Sequence, residues 1–296
     1  MVCPTLCHTN FTKNDELALL ALKISVRDPF NHLANWSNSS SICNWVGVTF
    51  DSEVTSGELD LHNNSFHGEL PKELLQLHKM KILNLSYNDF DGKIPAWIGS
   101  LFSLQHPIFR YNSFQGVIPP SVSNLSKLET LDWTKNFIHG CIPLEIGRLQ
   151  HLKILHIAGN NLSGNIPPTI SGLSSLELMS LSLNSLKGHI PKGIGNLSKL
   201  HFLYLHYNNL EGNIPRSFEN LTMLEQLDLF QNNMEGTIPA QIGNLYMLER
   251  LALGNNKLRG SIPLEILKIS TLRVLALQNN SLSGNLTSDL DVAFLT

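Results

Sequence analysis

Charge is scarce in this sequence: Asp, Glu, Lys and Arg make up 15% of its 296 residues, and 21 basic against 24 acidic residues leave a formal net charge of −3. Nucleic-acid binding draws on a clustered basic face, so the composition gives it no support. Long apolar runs are absent too, and nothing approaches the roughly 18–20 residues that cross a bilayer. Cysteine is limited to Cys3, Cys7, Cys43 and Cys141, whose irregular spacing makes no disulfide framework. No CxxC or paired Cys/His spacing offers a zinc site. The nucleophile elbow GxSxG, the metalloprotease HExxH, the phosphate-cradling GxxxxGK[ST] and the kinase HRD and DFG signatures are all missing. The chain is therefore expected to be no enzyme, with no cofactor and no metal.

What the sequence does have is a repeat. Ten asparagines recur every 24 residues without a slip: Asn64, Asn88, Asn112, Asn136, Asn160, Asn184, Asn208, Asn232, Asn256 and Asn280. Around each lies the frame LxxLxLxxNxLxGxIP. The fifth copy reads Leu152, Leu155, Ile157, Asn160, Leu162, Gly164, Ile166, Pro167, and the ninth Leu248, Leu251, Leu253, Asn256, Leu258, Gly260, Ile262, Pro263.

In xxLxLxx the two leucines have period two, so they face one way and the intervening residues the other. Each copy thus supplies one short strand, and stacked copies form a parallel sheet with strands about 4.8 Å apart. The Asn sits where the chain turns inward, and its amide has two donors and an acceptor for the backbone groups stranded there. Gly suits a turn of unusual dihedrals, and Pro confines the segment after it. The fold class implied is an α/β solenoid: a right-handed leucine-rich-repeat superhelix with a concave parallel β-sheet and a convex side of short 3-10 helices and turns.

A single repeat cannot bury this core alone, so the array needs caps. NDELALLALKISV, residues 14–26, reads as a helix capped by Asn14, with Leu17, Leu20, Ala21 and Ile24 covering the first repeat. Residues 1–13 are expected to be a signal remnant or disordered, 14–53 the N-terminal cap, 54–290 the ten repeats and 291–296 a truncated end. MVCPTLCHTN lacks the basic end and apolar core of a complete signal peptide. Cys3 and Cys7 either bridge each other or belong to such a remnant. The third copy, LFSLQHPIFRYNSF, puts Pro107 at an inward strand position, removing a ladder donor, and a local break in the sheet is expected there.

The Ile-Pro that follows the glycine in eight of the ten copies and the 24-residue period resemble the plant-specific class of leucine-rich repeats. The stretch DELALLALKISVRDPFNHLANWSNSSSICNWVGVTF is similar to the N-terminal cap of plant leucine-rich-repeat receptor kinases, in which a helix precedes a Trp, here Trp36, and then a CxWxGVxC motif, here with Cys43, Trp45, Gly47 and Val48 in place. The second cysteine of that motif is Phe50 here, so the resemblance implies a cap without its staple, a bond typically worth about 2–4 kcal/mol. It further implies a ligand- or partner-recognition module in defence or developmental signalling, at the extracellular face of the plasma membrane or secreted to the apoplast. The expected partners are a peptide, glycan or protein ligand and a co-receptor with leucine-rich repeats. The alternative is a secreted stand-alone binder similar to the plant inhibitors of polygalacturonases.

N-x-S/T sequons fall at Asn10, Asn35, Asn38, Asn63, Asn84, Asn124, Asn161, Asn196, Asn220, Asn279 and Asn285, consistent with passage through the secretory pathway. The recurring NLS and NLT of the repeat inflate that count.

Positions four, two and one before the frame Asn face out from the sheet and form columns across it. Most are small or polar. The seventh copy instead presents Tyr204, His206 and Tyr207, and the eighth Asp228 and Phe230; these form the first candidate ligand patch, which Leu183 extends. The third and fourth copies present Arg110, Tyr111, Asp132 and Lys135. Exposed aromatic and Arg residues are the types that anchor interfaces. Trp133 occupies an inward position and is expected in the core. His156 and His206 lie two repeats apart, too far to share a metal.

Overall fold

The computed structural model describes residues 12–51 and 56–284. It divides into two compact units, residues 1–139 and 140–296.

The first unit begins with the helix Lys13–Ser25, which Thr12 caps and Asn14 does not. Thr12 Oγ1 accepts from the Asp15 amide at 3.3 Å, and Asp15 Oδ2 accepts from the Thr12 amide at 2.6 Å, a reciprocal capping box. The helix buries Ala18, Leu19 and Leu22 and leaves Leu17 and Ile24 exposed, so its packed face is not the expected one. ALLALKI is apolar almost all round, which leaves the phase to tertiary contacts. Lys23 Nζ donates to the Trp36 carbonyl at 2.8 Å, tying the helix to the loop that follows it. Trp36 and Trp45 stack at 5.3 Å, both buried, and their ring nitrogens donate to the Val46 carbonyl and to Ser40 Oγ. The side chains of Cys43 and Phe50, on which the expected loss of the staple turns, lie outside the described residues, as do Cys3 and Cys7.

Val48–Asp51 pairs antiparallel with Ser56–Asp60, and parallel strands Met80–Asn84, His106–Ile108 and Thr130–Asp132 follow. Pro107 does not break this sheet. It is buried within His106–Ile108, whose three residues all register with Ile82–Asn84. Only on the other side is there a loss: toward Thr130–Asp132 the register shrinks to the single pair Ile108↔Asp132. Without an N–H, the proline cannot donate to that strand, although its φ suits extended backbone.

In the second unit, Ile154–His156, Leu178–Ser180, Phe202–Tyr204, Gln226–Asp228, Arg250–Ala252 and Val274–Ala276 pair in parallel, three residues to each register. Leu203, Leu205, Leu227 and Leu229 are fully buried beneath them. On the far side run 3-10 helices, among them Lys192–Asn196 and Arg216–Asn220, each capped by a proline already near helical φ. A second parallel sheet, which the repeat frame did not predict, joins Asn161–Asn165, Ser185–His189, Asn209–Asn213, Asn233–Gly236 and Lys257–Gly260.

The frame asparagines tie neighbouring coils as their chemistry requires. Asn208 Nδ2 donates to the Leu181 and Leu205 carbonyls at 3.0 and 3.1 Å, while Oδ1 accepts from the Leu186 amide at 3.0 Å. The residue before each frame Asn takes left-handed backbone, at φ 54–55° for Tyr87, Tyr111, Lys135, Leu183, Tyr207 and Gln231. Left-handed backbone costs an L residue roughly 1–2 kcal/mol. Because repeat after repeat shares it, this strain belongs to the turn and marks no particular site.

Candidate recognition surface

On the sheet face of the second unit, Phe202, Tyr204, His206, Tyr207 and Phe230 form one connected ridge. Ring centroids lie 6.3 Å apart from Phe202 to Tyr204, 6.3 Å from Tyr204 to His206, 5.8 Å from His206 to Tyr207 and 5.6 Å from Tyr207 to Phe230. The last three contacts are edge-on, the arrangement aromatic quadrupoles favour. Alternation puts Phe202, Tyr204 and His206 on one face of the extended chain. The left-handed turn then tips Tyr207 outward, where it is 47% exposed. Tyr204 Oη donates to Gln226 Oε1 at 2.9 Å, which holds the ring upright. Small residues flank the ridge: Ser180 and Ser182 one repeat before it, Ala252 and Gly254 one repeat beyond Phe230. A ligand backbone can approach the sheet over these and place side chains against the rings.

The charge at the ridge is buried. Asp228 is 8% exposed, and its Oδ1 accepts from the Phe230 amide at 3.0 Å. Its Oδ2 lies 3.6 Å from His206 Nδ1 and 3.7 Å from an Arg250 guanidinium nitrogen. His206 Nδ1 is buried with no hydrogen bond. Burial pushes the His206 imidazole below its ordinary value of 6.5; the Arg250 cation adds to this, and the Asp228 carboxylate opposes it. Burial, and then the Asp228 carboxylate, push the Tyr204 phenol up. The imidazole is thereby held neutral beside an acid that already has one cationic neighbour.

In the first unit, Arg110, Tyr111 and Lys135 also face outward. Tyr111 stacks on Tyr87 at 4.6 Å and 9°, the Arg110 guanidinium sits 5.4 Å over the Tyr87 ring, and Arg110 reaches the buried Asp132 at 3.7 Å. Trp133 packs in the core as expected, parallel to Phe109 at 5.9 Å.

Three members of these clusters escaped the sequence reading. Tyr87 holds the same position before a frame Asn as Tyr111 and Tyr207, and that column alone would have found it. Phe202 and Arg250 sit six residues before their Asn, one outward step earlier than the columns considered. Among the described residues no group of three or more His, Cys, Asp or Glu could hold a metal ion, and no helix is long and apolar enough to cross a membrane. Of the sequons, Asn35, Asn38, Asn63, Asn124, Asn161, Asn196, Asn220 and Asn279 are exposed. Asn84 is half-buried on the sheet face, its Oδ1 engaged by Ser86, while Asn10 and Asn285 lie outside the described residues.

Comparison with known proteins agrees with this architecture. Residues 12–49 match the leucine rich repeat N-terminal domain, and residues 150–210, 58–77, 79–101 and 223–245 match leucine rich repeats. MDIS1-interacting receptor like kinase 1 of Arabidopsis thaliana is 36% identical over 75 residues, which is 25% of this chain and 7% of that protein. The curated relatives matched are far longer, with 7–14% of their length aligned. Among solved structures, the ectodomain of the Arabidopsis receptor kinase GASSHO1/SCHENGEN3, in complex with Casparian strip integrity factor 2, has a TM-score of 0.88 at 30% identity, covering 92% of this chain and 33% of that one. The ectodomain of the Arabidopsis receptor kinase HAESA with an IDA peptide hormone ligand has a TM-score of 0.84 at 31% identity, covering 94% and 47%. A plant ice-binding protein has a TM-score of 0.80 at 27% identity, covering 93% and 89%.

Proposed function

The chain belongs to the leucine-rich-repeat proteins, and from that premise we propose that it is the extracellular recognition module of a plant receptor kinase, binding an extended peptide across its sheet face. The observation that carries this reading is the ridge of Phe202, Tyr204, His206, Tyr207 and Phe230 rising between rows of small residues. Aromatic side chains bury large areas at low entropic cost, and central aromatic anchors carry most of the energy in such interfaces. The HAESA ectodomain, a solved relative by fold, holds a peptide hormone. Arg110, Tyr111 and Lys135 form a second, separate contact patch, and a co-receptor with leucine-rich repeats completes the signalling complex. The exposed sequons support passage through the secretory pathway.

Panning a displayed random-peptide library against the protein tests this. Clones enriched on the wild type should lose binding to Tyr204→Ala/Phe230→Ala while that variant keeps its circular dichroism spectrum. Equal binding of those clones to both proteins excludes the ridge. Expression in a plant secretory system should also yield a mass that falls on deglycosylation.

A second reading, a self-contained secreted binder, draws on the ice-binding protein, whose length this chain nearly matches. A transcript that continues past Thr296 into an apolar span and a kinase supports the receptor; a stop codon there supports the stand-alone protein.

A further inference from the structure

The second unit has a feature that recognition on its sheet face does not use. Along the Ile-Pro turns of four successive repeats runs an open groove of about 1170 Å³, sharing no lining residue with the aromatic ridge. Its wall carries His189, Lys192, Arg216 and Arg259 and no carboxylate. Lys192 and Arg216 hold the same place in adjacent repeats. Among the described residues Lys192, Arg216 and Arg259 have no ion pair, whereas Arg250 and Arg273 on the sheet side are both matched by acids. No acid lines the groove, although Glu211 pairs in register with His189, Glu235 with Asn213 and Lys257, and Glu219 shares the 3-10 helix of Arg216.

The groove is rigid and is kept open. Pro191 and Pro215 fix the turns at φ −60° and −64°, and Ser217 Oγ ties two of them by donating to the Lys192 carbonyl at 2.7 Å. Gly212 and Gly236 run at φ +75° and +76°; a Cβ on Gly212 would strike the His189 ring, and one on Gly236 the Asn213 amide.

Unmatched cations on a fixed wall favour an anionic ligand, and their arrangement narrows its form. A single small anion would leave most of them unused. Lys192 and Arg216 stand one repeat apart and Arg259 two repeats further on, with Ala240 between, so a chain of regularly spaced acids reaches all three where one small anion cannot, neighbouring repeats being about 4.8 Å apart. Between the cations stand hydroxyl and amide groups, Ser217, Thr237 and Asn213, with the rings of Pro191, Pro215 and Pro239 beside them. Hydroxyls on one side and flat apolar faces on the other are the surface of a sugar ring. We propose that this groove binds an oligouronate, its carboxylates on Lys192, Arg216 and Arg259 and its sugar faces over the prolines.

Fluorescence anisotropy with a labelled galacturonate oligomer tests this, alongside the same oligomer methyl-esterified and a poly-glutamate of equal charge. The free-acid oligomer should bind, the ester should bind at least tenfold more weakly, and poly-glutamate should bind more weakly than the uronate. Lys192→Ala/Arg216→Ala should raise the Kd about tenfold or more, and Arg259→Gln alone serves if the double variant fails to fold. Tyr204→Ala/Phe230→Ala should leave the Kd unchanged, which separates this site from the ridge. Absent binding, equal binding of the ester, preference for poly-glutamate, or a Kd indifferent to the groove variants each overturns the proposal.

Discussion

His206 Nδ1 stands 3.6 Å from Asp228 Oδ2, just beyond hydrogen-bond length, with each residue held by neighbours of its own. Asp228 is fixed by the Phe230 amide, and His206 lies edge-on between Tyr204 and Tyr207. The imidazole is therefore half-buried, with Nδ1 shielded from water, beside a carboxylate it does not hydrogen-bond, and burial lowers its affinity for a proton.

The first prediction follows from that burial. The folded His206 binds its proton less readily than the unfolded chain does, at its ordinary value of 6.5. Stability from this residue is intact above that value and is lost as pH falls from it toward the lower folded value, because the unfolded state then takes up more protons. Thermal melts from about pH 8 to about pH 5 should show His206→Gln losing less midpoint temperature than the wild type. Parallel curves for the two proteins would contradict the assignment.

The second prediction concerns the ladder of frame amides. Asn232 Nδ2 donates to the Leu205 and Leu229 carbonyls, and its Oδ1 accepts from the Leu210 amide. Asn232→Ala strands these buried backbone groups at a cost of about 2–4 kcal/mol. Urea denaturation should register it, with the loss of hydrogen-exchange protection centred on Leu210. A destabilisation well under about 1 kcal/mol would show that water replaces the amide.

The third tests the helix cap. Thr12→Ala removes the hydroxyl that accepts from the Asp15 amide and donates to its carboxylate, leaving the Thr12 amide bond to Asp15, and should cost about 1 kcal/mol, while Asn14→Ala should be nearly neutral. Chemical denaturation of the two variants compares them directly. The reverse order would restore Asn14 as the cap.

The strand, the buried leucines and the asparagine ladder were legible in the sequence because they depend on period two and on the valence of an amide, both local properties. The helix phase was not: ALLALKI offers several apolar stripes, and the tertiary packing that buries Ala18, Leu19 and Leu22 selects among them. Pro107 was read as a break because its missing donor is visible in the sequence. What is not visible is that the donor faces only one of the two neighbouring strands, so the other register survives. The second sheet went unseen because Leu162 and Gly164 give an alternation of only two positions, too short to tell from a turn. Tyr204, His206, Tyr207, Asp228 and Phe230 were found by column, and the structure adds Phe202 and Arg250 from the column just beyond.

The left-handed residue ahead of each frame asparagine has a bearing on how such a surface can change. Tyr, Lys, Leu, Gln and Asn occupy that position with φ values within a degree of one another. The backbone there is set by the turn and is indifferent to the side chain it carries. An outward residue can therefore be exchanged for another, or moved to a different repeat within a unit, and still leave the chain in the same direction. Specificity can be rewritten one letter at a time on an unchanged backbone, at a conformational cost that is lowest where the letter is Gly or Asn.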